Sequence, residues 1–163
     1  MRCFVIMGVA GCGKSTVGAA LATATGATYL DGDDLHPPAN IAKMSAGAPL
    51  NDTDRAPWLD KVGQALATAP GTALIGCSAL KRAYRDRIRA TAGEPVSFLH
   101  LSGTRKVIEH RMHLRQGHFM PVALLDSQFA TLEPLQPDEA GSTVNIDQPL
   151  GDIVKQLKNV TAD

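Results

Sequence analysis

One glycine-rich segment near the amino terminus, residues 8–15, constrains the possible folds of this chain more than any other feature. It reads Gly-Val-Ala-Gly-Cys-Gly-Lys-Ser, and it lies between the apolar run 3–7 and a helix-forming stretch, 15–25. Glycines allow successive backbone N–H groups to turn inward around phosphate oxygens, and the helix that follows points its positive end at the same anion. The segment therefore predicts a phosphate-binding loop for a nucleoside triphosphate, formed by Gly8, Val9, Ala10, Gly11, Cys12, Gly13, Lys14, Ser15 and Thr16.

Two side chains of this loop have predicted roles in phosphate chemistry. Lys14 is expected to bridge the terminal phosphates as a mobile charge, and the Ser15 hydroxyl to bind a Mg²⁺ ion, which needs only one or two protein ligands. The alternative is a glycine-rich turn in which the Lys-Ser pair occurs by chance. The strand-like and helix-like flanks favour phosphate binding, because they are the context that the motif requires.

Length and charge restrict the domain organisation and the partners. With 163 residues the chain is long enough for one buried core and short for two, so we expect a single domain over 1–163. Sixteen basic residues balance sixteen acidic ones, and no apolar run has the ~20 residues of a membrane span, so neither nucleic acid nor membrane is expected as a partner. The chain begins directly in a predicted strand, and we expect a cytoplasmic protein. The three cysteines match neither a disulfide framework nor a zinc site.

Short apolar runs alternate with longer amphipathic stretches, which is typical of βαβ units. The predicted strands are 2–7, 28–31, 72–77, 96–101 and 143–146, and none alternates cleanly between apolar and polar residues. We therefore predict an α/β fold, a three-layer doubly wound sheet of five parallel strands with helices on both faces. The predicted helices are 15–24, 39–46, one that buries Trp58, Leu59, Val62 and Leu66, and then 79–90, 104–116, 122–129 and 149–157.

A kinase-like site also needs carboxylates, and the third predicted strand ends without an aspartate. Asp31 and Asp33 are the best candidates, because the carboxyl ends of parallel strands border the crevice where ligands bind. We expect Asp31 to steer Mg²⁺ and Asp33 to accept a proton or a hydrogen bond from a substrate hydroxyl. The alternative is that Gly32 forms a turn and that Asp33 or Asp34 caps a helix.

Two groups of basic residues could contact anions. Lys81 and Arg85, one helical turn apart, could clamp an anionic acceptor, although an ordinary solvated helix face is the alternative. A second group lies at a glycine-containing break in the chain, which predicts a mobile lid around 111–125 that brings guanidinium groups onto the phosphates. Its alternative is a surface pair of arginines. The members of this second group are Arg111, Arg115 and His118.

Four segments together resemble the small gluconokinases. They read Met-Gly-Val-x-Gly-x-Gly-Lys-Ser at 7–15, Leu-Asp-Gly-Asp-x-Leu-His-Pro at 30–37, Pro-Leu-Asn-Asp-x-Asp-Arg-x-Pro-Trp-Leu at 49–59 and Cys-Ser-Ala-Leu-Lys at 77–81. The phosphate loop alone is shared with many unrelated proteins, whereas the other three segments together are specific. Further matching segments, which extend the resemblance over nearly the whole chain, are 84–86, 117–120, 127–133 and 146–150.

The resemblance implies a fold, an activity and a set of site residues. It implies a P-loop fold like that of the nucleoside monophosphate kinases, a cytoplasmic homodimer, and transfer of phosphate from ATP, with Mg²⁺, to the 6-hydroxyl of D-gluconate. By this resemblance Asp31 lies near the metal and Asp33 near the acceptor hydroxyl. The residues implied in the lid and beside the adenine are Arg111, Arg115, Gln148 and Pro149. The residues implied around gluconate are Asp33, His36, Arg55, Lys81, Arg85 and His118.

Two other classes of function remain open from the sequence. A shikimate- or nucleoside-type kinase would use the same loop on another acceptor, and a nucleotide-dependent switch would bind without transferring phosphate to a small molecule. Cys12 is a separate question, because serine is the more usual residue there in the family. We expect an exposed, reactive thiol next to a helix N-terminus and Lys14, and the alternative is an inert replacement for serine.

Overall fold

The computed structural model describes residues 1–114 and 122–162, and its centre is a five-stranded parallel sheet. The strand order is β2-β3-β1-β4-β5, and every pairing is parallel. This confirms the predicted strands, with boundaries that differ by one or two residues. The strands are β1 Cys3–Met7, β2 Thr28–Asp31, β3 Ala73–Gly76, β4 Val96–Ser102 and β5 Gly141–Asn145.

Helices cover both faces of the sheet, as predicted. In β1, Cys3, Val5 and Met7 pack into one apolar cluster with helices α3 and α4, whereas Phe4 and Ile6 pack into a second cluster with α1, α5 and α7. Because alternate residues of a strand point to opposite faces, both faces of this strand must be apolar. The helices are α1 Lys14–Thr25, α2 Pro38–Ser45, α3 Asp52–Thr68, α4 Arg82–Ala92, α5 Arg105–Leu114, α6 Val122–Thr131 and α7 Leu150–Thr161.

The strand order brings several chain segments together at one edge of the sheet. Since all strands are parallel, their carboxyl ends lie on the same side, and β1 is the strand at which the order reverses. Ligands of doubly wound folds bind outside the carboxyl ends at such a reversal. The glycine-rich segment follows β1 at this point. A 3₁₀ turn, Gly32–Leu35, follows β2 at the same edge of the sheet.

Local sequence explains where two helices begin. The Asn51 side chain accepts a hydrogen bond from the Asp54 N–H, and the Asp54 side chain accepts one from the Asn51 N–H, so α3 starts with a reciprocal capping box. The predicted helix 79–90 starts too early. Ala79 has a left-handed backbone, with φ 44°, and α4 therefore starts only at Arg82.

No helix in the described part of the chain combines the length and the apolar character needed to cross a lipid bilayer.

Candidate active site

The glycine-rich segment has the conformation that its glycines predicted. Gly8, Gly11 and Gly13 have φ values of 148°, 81° and 96°, which favour a residue without a Cβ. A Cβ at Gly8 would lie 2.7 Å from the Cys12 Sγ and 2.9 Å from the Leu101 carbonyl oxygen. A residue with a side chain therefore fits neither the space nor the backbone conformation at position 8. The loop leads directly into the N-terminus of α1.

Lys14 lies across this loop. Its Nζ donates to the carbonyl oxygens of Gly8, at 3.1 Å, and Val9, at 3.2 Å. The ammonium group is thus held at the mouth of the loop, near the end of α1 where phosphate binding is favourable. Ser15 and Thr16 lie in the first turn of α1 with exposed side chains, in position to contact a bound nucleotide.

Cys12 does not have the exposure that we expected. Its side chain is fully buried and packs with Val9, Leu101 and Ile108 in the second apolar cluster. Its Sγ lies 4.0 Å from the Lys14 Nζ. The prediction of an exposed, reactive thiol is wrong, because the loop turns its backbone outward and its Cys12 side chain inward.

A contact from α6 fixes the loop, and the sequence analysis missed it. The Ala10 N–H donates to the Gln128 Oε1 at 2.6 Å, across a sequence separation of 118 residues. No local pattern around Gln128 indicates this partner. The contact means that the helix after the predicted lid is joined directly to the phosphate loop.

A recess of about 200 Å³ opens beside the loop, and Arg111 is one of its lining residues. The Arg111 guanidinium donates to the Ile146 carbonyl oxygen, which ties α5 to the end of β5. Gln148 and Pro149 follow at the start of α7, where the Gln148 Nε2 donates to the Asn145 carbonyl oxygen at 2.6 Å. The other lining residues are Gly11, Gly13, Thr16, Val17, Leu114, Leu150 and Ile153.

Part of the predicted lid lies outside the described residues. Arg115 and His118 belong to 115–121, which the structure does not describe. Of the predicted segment 111–125, the structure describes the end of α5 and the start of α6. The roles of Arg115 and His118 stay predictions.

The two aspartates after β2 have different surroundings. The Asp31 Oδ1 accepts from the Asp33 N–H at 2.9 Å, so Asp31 itself caps the 3₁₀ turn, a role that we had considered for Asp33 or Asp34. Partial desolvation by the surrounding protein, followed by the charge of Asp31, raises the pKa of Asp33, while Lys14 lowers it. The Asp33 side chain is 82% exposed, so water limits this shift.

His36 is clamped beside Asp33. Its ring stacks on Trp58 with centroids 4.1 Å apart, and its Nδ1 lies 3.3 Å from the Asn40 Nδ2. Because the Asn40 amide nitrogen can only donate, the neutral His36 ring carries its proton on Nε2, which faces the Asp33 Oδ1 at 3.9 Å. Burial lowers the pKa of His36, and the charge of Asp33 opposes this. A neutral His36 N–H is thus directed toward the Asp33 carboxylate.

Arg55 and Lys81 continue this group of residues along the crevice. Burial is the main cause of the lowered pKa of His36, and the charge of Arg55 lowers it further, so Arg55 lies near enough for its charge to act on the histidine. The Arg55 Nη1 donates to the Tyr84 Oη at 3.1 Å, and the Lys81 Nζ lies 5.5 Å from the centre of the same ring. Asp33 and His36 thus form one pair, Arg55 and Lys81 both contact Tyr84, and the charge of Arg55 reaches His36. We call these four predicted acceptor residues, Asp33, His36, Arg55 and Lys81, the acceptor row.

Arg85 is not part of this row, and its predicted role in acceptor binding is wrong. Its side chain is fully buried, with Nε and Nη2 donating to the two Glu139 carboxylate oxygens at 2.7 and 2.9 Å. Its Nη1 donates to the Ala79 carbonyl oxygen at 2.9 Å. A guanidinium whose N–H groups already donate to partners inside the protein cannot also bind an acceptor. Arg85 instead holds the connection between β3 and α4 in place.

A second recess, of about 300 Å³, lies elsewhere, at the amino-terminal end of β4. Its two guanidinium groups already have partners: Arg82 pairs with Asp138 at 2.7 Å, and Arg89 pairs with Asp86 and Glu139. We place the active site at the smaller recess and the adjoining row, because the phosphate loop is there.

The chain is similar to several known proteins over most of its length. A family model described as an AAA domain matches residues 4–135. The chain is 46% identical over 160 residues to the thermosensitive gluconokinase of Escherichia coli (strain K12), which covers 95% of this chain and 84% of the relative. It is 47% identical over 142 residues to the gluconokinase of Gluconobacter oxydans (strain 621H), and this match covers 85% of this chain and 79% of the relative. A solved structure, a gluconokinase from Sinorhizobium meliloti 1021, matches with a TM-score of 0.91 at 46% identity, over 99% of this chain and 91% of that one.

Proposed function

Because this chain belongs to the gluconokinase family, we propose that it transfers the γ-phosphoryl group of ATP to the 6-hydroxyl of D-gluconate, giving 6-phosphogluconate and ADP. One observation carries the choice of acceptor. The acceptor row has an exposed carboxylate, Asp33, at the end near Lys14 of the phosphate loop and two cations, Arg55 and Lys81, around Tyr84 at the other end. A hydroxylated acid fits this row, with its hydroxyl end at Asp33 and its carboxylate at the cations.

On the nucleotide side, the loop N–H groups and Lys14 would hold the β- and γ-phosphates. Ser15 and Asp31 offer a hydroxyl and a carboxylate oxygen, the donors that suit Mg²⁺. Burial raises the pKa of Tyr29, Ser15 lowers it and the charge of Asp31 raises it, so both oxygen donors lie near this side chain. The Tyr29 hydroxyl is buried without a hydrogen-bond partner of normal geometry among the described residues, and a hydrated ion held by Ser15 and Asp31 would offer it one. When bound, the ion would neutralise phosphate charge during transfer.

On the acceptor side, Asp33 would act as the general base. The acceptor oxygen attacks the γ-phosphorus, its proton passes to the Asp33 carboxylate, and the bond from the γ-phosphorus to the bridging oxygen breaks to release ADP. The Nε2–H of His36 faces this carboxylate and would keep it oriented. We further propose that Arg111, Arg115 and His118 approach the phosphates and the acceptor when the lid closes, with Gln148 and Pro149 beside the adenine.

We also infer, from the family alone, that the enzyme works in the cytoplasm as a homodimer. Gel filtration with light scattering would test the dimer. A mass of about 17 kDa in solution, that of one 17.2 kDa chain, would contradict it.

The direct test of the function is a coupled assay of ADP release with a panel of acceptors. D-gluconate should give the highest kcat/KM, while shikimate, nucleosides and a reaction without acceptor should give little turnover. A clear preference for shikimate or a nucleoside would support the alternative kinase. Equal turnover with and without any acceptor would indicate a nucleotide-dependent switch.

Replacing the loop lysine supplies the first specific prediction. Lys14→Ala should lower kcat by ~10³ or more, because the lost charge acts mainly on the transition state. The circular dichroism spectrum and melting temperature should stay close to those of the wild type. A variant that keeps more than about a tenth of wild-type turnover would exclude this role for the loop.

A further inference from the structure

The two cations at the end of the acceptor row share one aromatic ring. The Arg55 guanidinium carbon lies 5.4 Å from the centre of the Tyr84 ring, and the Lys81 Nζ lies 5.5 Å from it. The Tyr84 hydroxyl accepts from the Arg55 Nη1 at 3.1 Å and donates to the Asp52 Oδ1 at 2.5 Å. The Lys81 Nζ lies 3.6 Å from the same Asp52 oxygen. Tyr84 therefore contacts both cations, and Asp52 contacts Lys81 and the Tyr84 hydroxyl.

We propose that Tyr84 and Asp52 are positioning residues that hold Arg55 and Lys81 for the acceptor's carboxylate, and so set the preference for acidic over neutral acceptors. The proposal rests on the proposed function, because it assumes that the acceptor is a hydroxylated acid. It assigns a role to two residues that the sequence analysis had not placed in the site.

The fold explains why these four side chains meet. Asp52 is the first residue of α3, Lys81 directly precedes α4, and Tyr84 lies in the first turn of α4. These two helices pack side by side against the same face of the sheet. Their N-terminal ends lie together, and helix N-termini favour negative charge. The backbone and the two cations thus attract an anion to the same place.

The charges within the cluster are unequal. Arg55 and Lys81 supply two positive charges, and Asp52 supplies one negative charge. The H-bond from Tyr84, and then the charge of Lys81, lower the pKa of Asp52, so it stays ionised at neutral pH. The nearest other acid on α3, Asp54, pairs with Lys43 at 2.6 Å. One positive charge is left over, which the carboxylate of an acid would match and a neutral polyol would not.

The hydroxyl of Tyr84 is the shared link. Without it, Arg55 would lose its hydrogen bond, and Asp52 would lose its donor, while the ring would still lie beside both cations. A long arginine side chain that is no longer held must be ordered when the acceptor binds, and this weakens binding. Asp52 is 68% exposed and Lys81 is 35% exposed, so water screens the cluster and the effect should be moderate.

The first test is Tyr84→Phe, which removes the hydroxyl and keeps the ring. KM for gluconate should rise ~5–20-fold, whereas kcat and KM for ATP should change less than about threefold. The ratio of kcat/KM for gluconate to that for sorbitol, which carries a hydroxymethyl group in place of the carboxylate, should fall by a similar factor. A variant with unchanged KM, or with equal losses on both acceptors, would overturn the proposal.

Asp52→Asn should act in the same direction, and α3 provides a matched control. Asp60 lies on the same helix and pairs with Arg87 of α4 at 2.8 Å, just as Asp52 accepts a hydrogen bond from Tyr84 of α4. Asp60→Asn makes the same chemical change outside the acceptor row. It should leave KM for gluconate and the acid preference unchanged. If both variants shift KM equally, the effect belongs to α3–α4 packing and the proposal fails.

A double-mutant cycle separates positioning from direct contact with the acceptor. If Tyr84 acts through Arg55, then Tyr84→Phe should change KM for gluconate much less in an Arg55→Gln background than in the wild type. Additive effects would mean that Tyr84 contacts the acceptor itself, which would overturn its assignment as a positioning residue. Failure of the proposed function is a different result, because the wild type would then not phosphorylate gluconate at all.

Discussion

Two arginines that look alike in the sequence have opposite roles in the structure. Both Arg55 and Arg85 lie in segments that resemble the family's acceptor region. Arg55 remains partly exposed at the crevice, whereas Arg85 is fully buried against Glu139, which is 54 residues away in the chain. Helix periodicity indicated which side chains share one side of a helix. It could not show that Arg85 pairs, inside the fold, with an acid far away in the chain. Whether an arginine is available to bind a ligand or stabilises the fold depends more on its partners than on its residue type.

Asp33 gives the sharpest test at the scale of a single residue. Asp33→Asn is nearly isosteric but cannot accept the proton of the acceptor hydroxyl. We expect kcat to fall ~10²–10⁴-fold with a much smaller change in KM for ATP. The measurement is steady-state kinetics with both substrates varied. If ATP binding weakens sharply and the acceptor parameters do not change, Asp33 acts on the metal side and Asp31 is the base.

The cysteines give a second test, and it reverses the expectation from the sequence. Cys3, Cys12 and Cys77 are all buried, and burial raises the pKa of Cys3 to about 11 and that of Cys77 to about 12. Iodoacetamide should therefore label all three at least ~100-fold more slowly in the native protein than in urea, because burial shields each sulfur and the raised pKa values leave little reactive thiolate at Cys3 and Cys77. Peptide mass spectrometry would follow each site. Rapid native labelling of Cys12 would show that the loop opens.

At the scale of elements, the sequence predicted what local patterns determine. Apolar runs located five strands, and the apolar residues Trp58, Leu59, Val62 and Leu66 located α3. The start of α4 was placed too early, because no local pattern indicated the left-handed backbone of Ala79. The phosphate loop was predictable because its glycines form a local pattern, whereas no local pattern indicated its hydrogen bond to Gln128. Two of the missed features, the Ala10–Gln128 hydrogen bond and the Arg85–Glu139 pair, connect residues far apart in the chain.

The link between α6 and the phosphate loop supplies a prediction about elements. Gln128→Ala removes the acceptor of the Ala10 N–H, so the loop should be less well ordered before ATP binds. We expect KM for ATP to rise ~3–10-fold while KM for gluconate changes little. Gln64→Ala, at an exposed position of α3, is the control and should change neither constant. A Gln128 variant that behaves like the control would show that the loop is ordered without α6.

At the scale of the whole molecule, one buried ionic cluster joins α4 to the segment before β5. Glu139 accepts from Arg85 and from the Arg89 Nη2 at 2.7 Å, and from the Gln136 N–H at 2.9 Å. Burial alone would raise the pKa of Glu139, but these hydrogen bonds outweigh it and lower the pKa to about 2. The Glu139 side chain is fully buried, so solvent does not weaken these contacts.

The sign of the resulting pH dependence follows from this shift. A carboxyl whose pKa is lower in the folded than in the unfolded state stabilises the fold above the unfolded value of ~4.3. That contribution is lost as the pH falls from about 5 toward 2. Its size is roughly 3 kcal/mol, from the difference between the two pKa values. Burial also lowers the pKa of His36 and His100, so their contribution is lost earlier, as the pH falls through ~6.5.

Glu139→Gln separates the carboxyl from the histidines. At pH 7 the variant should lose ~3–5 kcal/mol of unfolding free energy, because two guanidinium groups lose their counter-charge inside the protein. The difference from the wild type should stay constant between pH 7 and 6, where only the histidines titrate, and should shrink as the pH falls below about 5. Urea unfolding at pH 7, 6, 5 and 4 would measure it. Glu109→Gln, which breaks an exposed pair with Arg105 on α5, should cost less than about 1 kcal/mol throughout. A Glu139→Gln deficit that does not depend on pH would mean that packing, and not the ionised carboxylate, holds this part of the fold together.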